Sequence, residues 1–348
     1  DPWASFSTNC FVNLGCTDTV ACNYNPNATI DDNSCFYGNC VENITQNTFT
    51  PDIQSGIDAS VNGDTIIVSN GTYVENLIID KNIVLASTFL LTNDTTDIST
   101  TFIEGSHHYD VIHLQNFTYN NTFGSQQLIG FTIIKDGSFW FGRGIMIEGD
   151  GLTTLSNLKI NVSNSSVWGS NIWNASGPAN FNNIIIDDVV NGSNIIALNG
   201  NDTTIFNNLR FTNNVGIMHI QNAPHVIFYN STIISEELLF QGTSGSSSVS
   251  IVNSIFLSDF SATQYTLVNI KNSCVLENDP NGTQDYLSYG TNNFNRDPLF
   301  VDAVNGDYRL SNFSPCIGAG LDTSIVPTTD LDGNPRPNPI GSNPDMGE

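Results

Sequence analysis

The apolar residues of this chain come in short runs broken by turn formers, and the runs read as strands. Val, Ile and Leu gather in TIIV at 65–68, LIID at 77–80, NIVL at 82–85, FTII at 131–134 and GIMI at 144–147, with Asn, Gly and Ser between them. Branched side chains in runs this short suit buried or half-buried strands. A helical pattern holds only for a turn near PDIQSGIDASV, residues 51–61. The pattern predicts an all-β chain with one short helix.

The runs also repeat. Asn followed by an apolar or small-residue strand occurs as NLKI at Asn157, NIII at Asn183, NLRF at Asn208, NSTI at Asn230, NSIF at Asn253 and NSCV at Asn272, in steps of 26, 25, 22, 23 and 19 residues. GFTI at Gly130 stands 27 residues before Asn157 and fits as an earlier member. Strand-type repeats with a period in the low twenties mark a solenoid, and the fixed Leu offsets of leucine-rich repeats are missing. Each coil would stack about 4.8 Å above the last, so residues 52 to about 316 make roughly ten or eleven rungs in a rod about 50 Å long. Asn tolerates the left-handed conformation of a tight corner. Stacked amides can bond one another, so the recurrent Asn reads as a structural ladder.

Residues 1–48 differ in character: they are rich in Cys, Asn, Asp and Pro. The expected organisation is a Cys-rich module over 1–48, then a parallel β-helix over 49–348 whose cap covers about 317–348. Of seven cysteines, Cys10, Cys16, Cys22, Cys35 and Cys40 crowd the start, and Cys274 and Cys316 stand apart. Clustering without C-x-x-C pairs favours disulfides over zinc. Cys16, Cys22, Cys35 and Cys40 are expected to pair, with connectivity open, and Cys274 with Cys316 would staple the C-terminal end. The count is odd, which leaves Cys10 as the free or intermolecular thiol.

Composition narrows the setting. Nine Lys and Arg face 34 Asp and Glu, a net charge of -25. Such a surface repels nucleic acid and anionic membrane, which need basic residues to neutralise phosphate. It suits calcium-containing water outside a cell. No apolar run is long enough to span a bilayer, so no membrane insertion is expected. The first residues lack a basic start and an apolar run, so a secreted form would be a processed one. Fourteen N-x-S/T sites occur, at Asn27, Asn43, Asn70, Asn93, Asn116, Asn120, Asn161, Asn164, Asn174, Asn191, Asn201, Asn230, Asn281 and Asn312. Chance placement would give about nine. The reading is a secreted, N-glycosylated protein, extracellular or on a cell surface.

Two stretches resemble known families. GCTDTVACNYNPNATIDDNSC, residues 15–35, resembles a short extracellular Cys-rich repeat written GCTDPxACNYxPxATxDDGSC. Its Asp18, Asp31 and Asp32 are candidates to hold calcium, against turn capping as the plainer role. PDIQSGIDASVNGDTIIVSNGTYVENLIIDKNIVLAS, residues 51–87, is similar to the opening of pectin-lyase-like right-handed β-helix proteins. NRDPLFVDAVNGDYRLSNFSPCIGAGLDTS, TDLDGNPRPN and PDMG resemble the C-terminal end of surface proteins of the choice-of-anchor type. The resemblance covers about residues 50–347 and implies a right-handed parallel β-helix whose first helix caps the open end. It implies little about activity. Such chains often continue as PDxGAYE, whereas this one reads PDMGE, so anchoring through the usual sorting tail is not expected.

Three roles compete. A lyase of this fold needs a cation and a basic residue beside the uronate, and a hydrolase needs facing carboxylates. Lys81, Lys135, Arg143, Lys159, Arg210 and Lys271 form no cluster in sequence, and Asp187-Asp188 is the single adjacent acidic pair of the middle rungs. Asp187 and Asp188 are therefore the catalytic candidates, though neighbours on a strand face opposite sides. Glu236-Glu237 lies at a strand end, and His107, His108 and His113 fall in one early rung as a metal candidate. A carbohydrate-binding adhesin could use Trp140, Phe141, Trp168 and Trp173 to stack sugars, against packing under a loop as the plainer role. The favoured role is a structural subunit of a filament, fibre or coat. It would be a homopolymer joined through the β-helix ends and the N-terminal module.

Overall fold

Two parallel ladders organise the molecule, and from Ile145–Gly149 to Ile217–Ile220 consecutive strands alternate between them. The structure, a computed structural model, describes residues 12–106, 109–117, 125–135, 142–162, 172–187, 194–198, 202–214, 217–220, 225–235, 237–240, 247–262, 266–275, 287–322 and 326–347. The fold is mostly β, with a mostly parallel eighteen-stranded sheet and a smaller parallel sheet of six strands. From Ile145–Gly149 in the smaller sheet the chain enters Leu152–Val162 in the larger, returns to Ile172–Asn174, and crosses again to Ala179–Asp187. Each visit pairs in parallel with the strand of the preceding visit.

The register explains the apolar runs. Along the larger sheet Ile66, Leu85, Leu128, Leu155, Phe181, Phe206, Phe228, Ile251 and Ile270 align strand by strand. All nine are buried. Within that row Phe181, Phe206 and Phe228 stack with ring centroids 4.5 and 5.0 Å apart. The smaller sheet answers with Leu77, Ile112, Ile145, Ile172 and Ile196 in one aligned, buried row. Because side chains alternate along a strand, the same register gives rows of polar residues facing outward.

The six recurrent asparagines, Asn157 to Asn272, all take the left-handed conformation, with φ between 47° and 56°. They bend the chain inside or just before long strands such as Leu152–Val162 and Thr204–Asn214. Their expected ladder is realised over three members: Asn183 donates to Asn157 at 2.9 Å and Asn208 to Asn183 at 2.7 Å. Beyond Asn208 the neighbouring serines take over, as Ser231 and Ser254 receive backbone N–H bonds one rung away, at 3.2 and 3.1 Å. The amides there turn instead to the C-terminal segment. Asn208 donates to the Thr329 carbonyl at 2.8 Å, Asn230 to Asp345 at 2.9 Å and Asn253 to Leu321 at 2.8 Å. The described residues of 317–347 thus form a strap held against the bends.

The short helix expected near residues 51–61 forms as Ile53–Ala59. Asp52 caps it through Ser55 N–H, the Ile53 and Gln54 N–H groups donate to Glu75, and Ile53 and Ile57 are fully buried. Strand Val41–Asn43, assigned by sequence to the Cys-rich module, pairs antiparallel with Thr48–Thr50 and Thr65–Val68 and extends the larger sheet. Val41 belongs to the main core. The module itself is held by disulfides Cys16–Cys35 and Cys22–Cys40.

The expected Cys274–Cys316 bond is not formed. Both thiols are free and buried, packed with Ile255 and Met346. Cys274 Sγ donates to the Arg296 carbonyl at 3.0 Å. A hydrogen bond from Cys316 lowers the Cys274 pKa, while the Cys316 thiol that makes it is pushed up. Apolar packing and these hydrogen bonds hold the end together in place of a covalent staple. Cys10 lies outside the described residues.

Candidate functional site

Three outward-facing clusters bring polar side chains together. The first is built on Asp187, at the end of strand Ala179–Asp187. Arg210, one rung on, grips one carboxylate oxygen through Nε and Nη2 at 3.2 and 2.8 Å, and Thr212 donates to the other at 2.6 Å. Both oxygens are engaged by the adjacent strand, which makes Asp187 a rung-to-rung tie. Its neighbour Asp188 lies outside the described residues. The Arg210 guanidinium also lies 5.9 Å from the Tyr308 ring. Together with Asp307, Arg309, Asp330 and Asp332 it lines a hollow of about 310 Å³. Asp307 is hydrogen-bonded by the Arg309 guanidinium, which holds its pKa down to about 2. These partners come from about a hundred residues later in the chain, so sequence spacing alone could not join them to Arg210.

The second cluster sits on the smaller sheet. His113 Nε2 is 3.0 Å from Glu148, two residues beyond its ladder partner Met146 on the same face of the neighbouring strand. Arg143 approaches Asp110 at 3.5 Å and lies 4.6 Å from the Trp173 ring centroid. Trp173, a candidate to stack sugar, therefore already carries a guanidinium on its ring. Lys135 is buried, bonded to the Tyr109 carbonyl, and desolvation lowers its pKa. Among the described residues no three His, Cys, Asp or Glu side chains are placed to hold a metal ion. His107, His108, Trp140, Phe141, Trp168 and Glu236 lie outside the described residues, and Glu237 opens strand Glu237–Phe240.

The third lies in the module. Asp18 accepts from Val20 N–H at 3.0 Å and from the Tyr37 hydroxyl at 2.7 Å. Those bonds, the backbone one first, lower its pKa. Asp31 and Asp32 accept from the N–H groups of Asn33 and Ser34, at 2.8 and 3.0 Å. Each carboxylate closes its own turn, the behaviour of Asp in turns.

The glycosylation candidates divide by burial. Asn43, Asn116, Asn174 and Asn230 are buried, and their Nδ2 atoms donate to Asp64, Leu152, Gly177 and Asp345. A sugar on any of these nitrogens has no room in the folded chain, so the expectation is corrected at these four. Asn70 is exposed but donates to Asp97 and accepts from Thr88. Asn27, Asn93, Asn161 and Asn312 are exposed. Asn120, Asn164, Asn191, Asn201 and Asn281 lie outside the described residues. No protein-family model matches the chain, and no curated protein matches it.

Proposed function

We propose that the chain is a single-stranded right-handed parallel β-helix serving as a glycosylated, extracellular structural subunit that assembles end to end. The alternation of strands between two parallel ladders supports one continuous coil, and parallel crossovers are right-handed in nearly all proteins. The observation that carries the structural role is where the polar side chains are directed. Arg210 and Thr212 tie to Asp187, Arg336 bonds Asn208 and the Gly347 carbonyl, and Lys81 caps the carbonyls of Ile57 and Asp58. Each contact fixes one rung to the next, the strap to a rung, or the end helix to the coil. This is the chemistry of a stiff rod.

Two disulfides in the first 40 residues support an oxidising, extracellular setting. Exposed sequons at Asn27, Asn93, Asn161 and Asn312 support a glycan coat. Rods with distinct ends join head to tail by heterologous contacts, which build filaments when the rotation does not close. Electron microscopy of the native protein at neutral pH with calcium tests this. Regular filaments of this chain are expected. Dispersed monomers, with no polymer in the native source either, would overturn the assembly.

A further inference from the structure

The short helix Phe89–Thr92 ends at Asn93, which takes the left-handed conformation (φ 56°) and donates its backbone N–H to the Phe89 carbonyl at 2.9 Å. Asn93, Asp94 and Thr95 read N-x-T. Asn93 is exposed, and among the described residues its side-chain amide has no hydrogen-bond partner. Beside it runs a groove of about 620 Å³ between this turn and strap residues 329–333, with Asn157 and Asn183 among its lining. That volume falls within the usual range of ligand sites.

We propose that Asn93 carries an N-linked glycan whose first sugars lie in this groove and bridge the 89–95 turn to the strap; the proposal rests on the glycoprotein reading above. The groove offers what a neutral N-acetylhexosamine needs. Phe89 and Leu331 supply apolar surface for the C–H face of a sugar ring. Asn157 supplies a donor: its Oδ1 accepts from Asn183, while its Nδ2 has no partner among the described residues. Asp332 supplies a carboxylate to accept from a hydroxyl. Elsewhere along the bends the outward donors of Asn208, Asn230 and Asn253 each meet a strap carbonyl. Asn157, at the start of the ladder, faces the groove instead. An anionic occupant is disfavoured by Asp330, Asp332 and a net charge of -25.

Attachment forms one bond, from Asn93 Nδ2 to the anomeric carbon of a lipid-pyrophosphate-linked oligosaccharide. The amide loses a proton, and the lipid pyrophosphate leaves with the bonding electrons. The Thr95 hydroxyl completes the sequon and makes no capping hydrogen bond in the fold. Thr95→Ala therefore removes the glycan without removing a fold contact of that hydroxyl, and Thr95→Ser retains both.

The test uses the full chain secreted from a eukaryotic cell, with site occupancy read by mass spectrometry. The Asn93 glycan is expected to be present and to resist enzymatic release from the native protein, while a glycan on exposed Asn27 is released readily. Thr95→Ala should speed amide exchange of residues 329–333 about tenfold, and Thr95→Ser should leave it unchanged. An empty Asn93 beside occupied sequons would overturn the proposal. So would release at the rate of Asn27, or unchanged exchange in Thr95→Ala. A chain with no glycan at any sequon would instead refute the glycoprotein reading, and this proposal with it.

Discussion

Asn208 joins two coils and the strap at one side chain, so its replacement measures what the ladder contributes. It is fully buried and left-handed, with φ 55°. Its Nδ2 donates to Asn183 Oδ1 at 2.7 Å and to the Thr329 carbonyl at 2.8 Å, and its Oδ1 accepts from Arg336 at 2.6 Å. Asn208→Ala places a Cβ-bearing residue without a local hydrogen bond in the left-handed region, which costs about 1 kcal/mol. The two stranded acceptors add about 1 kcal/mol each, and the lost bond to the guanidinium about 1 kcal/mol more, since Arg336 is only partly buried and retains its bond to Gly347. The sum is a loss of about 3–5 kcal/mol in urea unfolding. Asn208→Gly relieves the backbone term and should recover about 1 kcal/mol relative to Ala. Asn208→Asp preserves the bond to Arg336 but sets a carboxylate against two acceptor oxygens, so it should also destabilise. Limited proteolysis should cut residues 317–347 earlier in each variant. A loss below about 1 kcal/mol for Ala, with the strap as resistant as before, would refute the account of the ladder.

Phe206→Ala removes the middle ring of the Phe181–Phe206–Phe228 stack and should cost about 3–5 kcal/mol in the same assay, against less than about 2 kcal/mol for Phe206→Leu. Equal losses would mean that the stack adds little beyond volume. The thiols of Cys274 and Cys316 should resist iodoacetamide in the folded protein and react on unfolding; rapid labelling of either would contradict their burial. Asp307 has its folded pKa lowered from 3.8 to about 2 by Arg309, so its contribution is present above the unfolded value and is lost as pH falls through the folded one. Amide protection of the Phe300–Asp302 and Asp307–Leu310 pair should accordingly drop between about pH 4 and 2, and Arg309→Gln should move the drop upward. An unchanged midpoint in that variant would show that the guanidinium is not the cause.

What was legible in the sequence was whatever repeats. The recurrent Asn and the apolar runs each express a local rule, and each stands where the pattern put it. The left-handed bends at Asn157, Asn183, Asn208, Asn230, Asn253 and Asn272 follow from one property of Asn, its tolerance of positive φ. Sequons were a weaker guide, because the Asn that makes N-x-S/T also makes turns. At Asn116 the amide donates to the Leu152 carbonyl, 36 residues on, and at Asn230 it belongs to the corner row. A pattern of three residues does not carry that distinction; burial does. The Cys pair shows the reverse case. Proximity of Cys274 and Cys316 was expected and is present, yet proximity does not oxidise two thiols.

The strap was illegible for a related reason. The hydrogen bonds that Asn208, Asn230 and Asn253 donate to it span 121, 115 and 68 residues, and those three acceptors are main-chain carbonyls, which carry no signature of residue type. An amide that donates to a carbonyl asks nothing of the side chain that carbonyl belongs to. The row of amides can therefore hold a segment through its main chain, and here that segment is made of turns and bends that meet Asn253, then Asn208, then Asn230. Closing loops of this length costs only about 0.6 kcal/mol more per doubling, so the rigid row of donors, once stacked, is enough to hold the segment at little extra entropic cost. The same argument ranks the contacts by order. The row of donors exists only after the rungs are paired, so the strap is a late and separable layer. Changes in it should loosen the bends before they disturb the aromatic stack beneath.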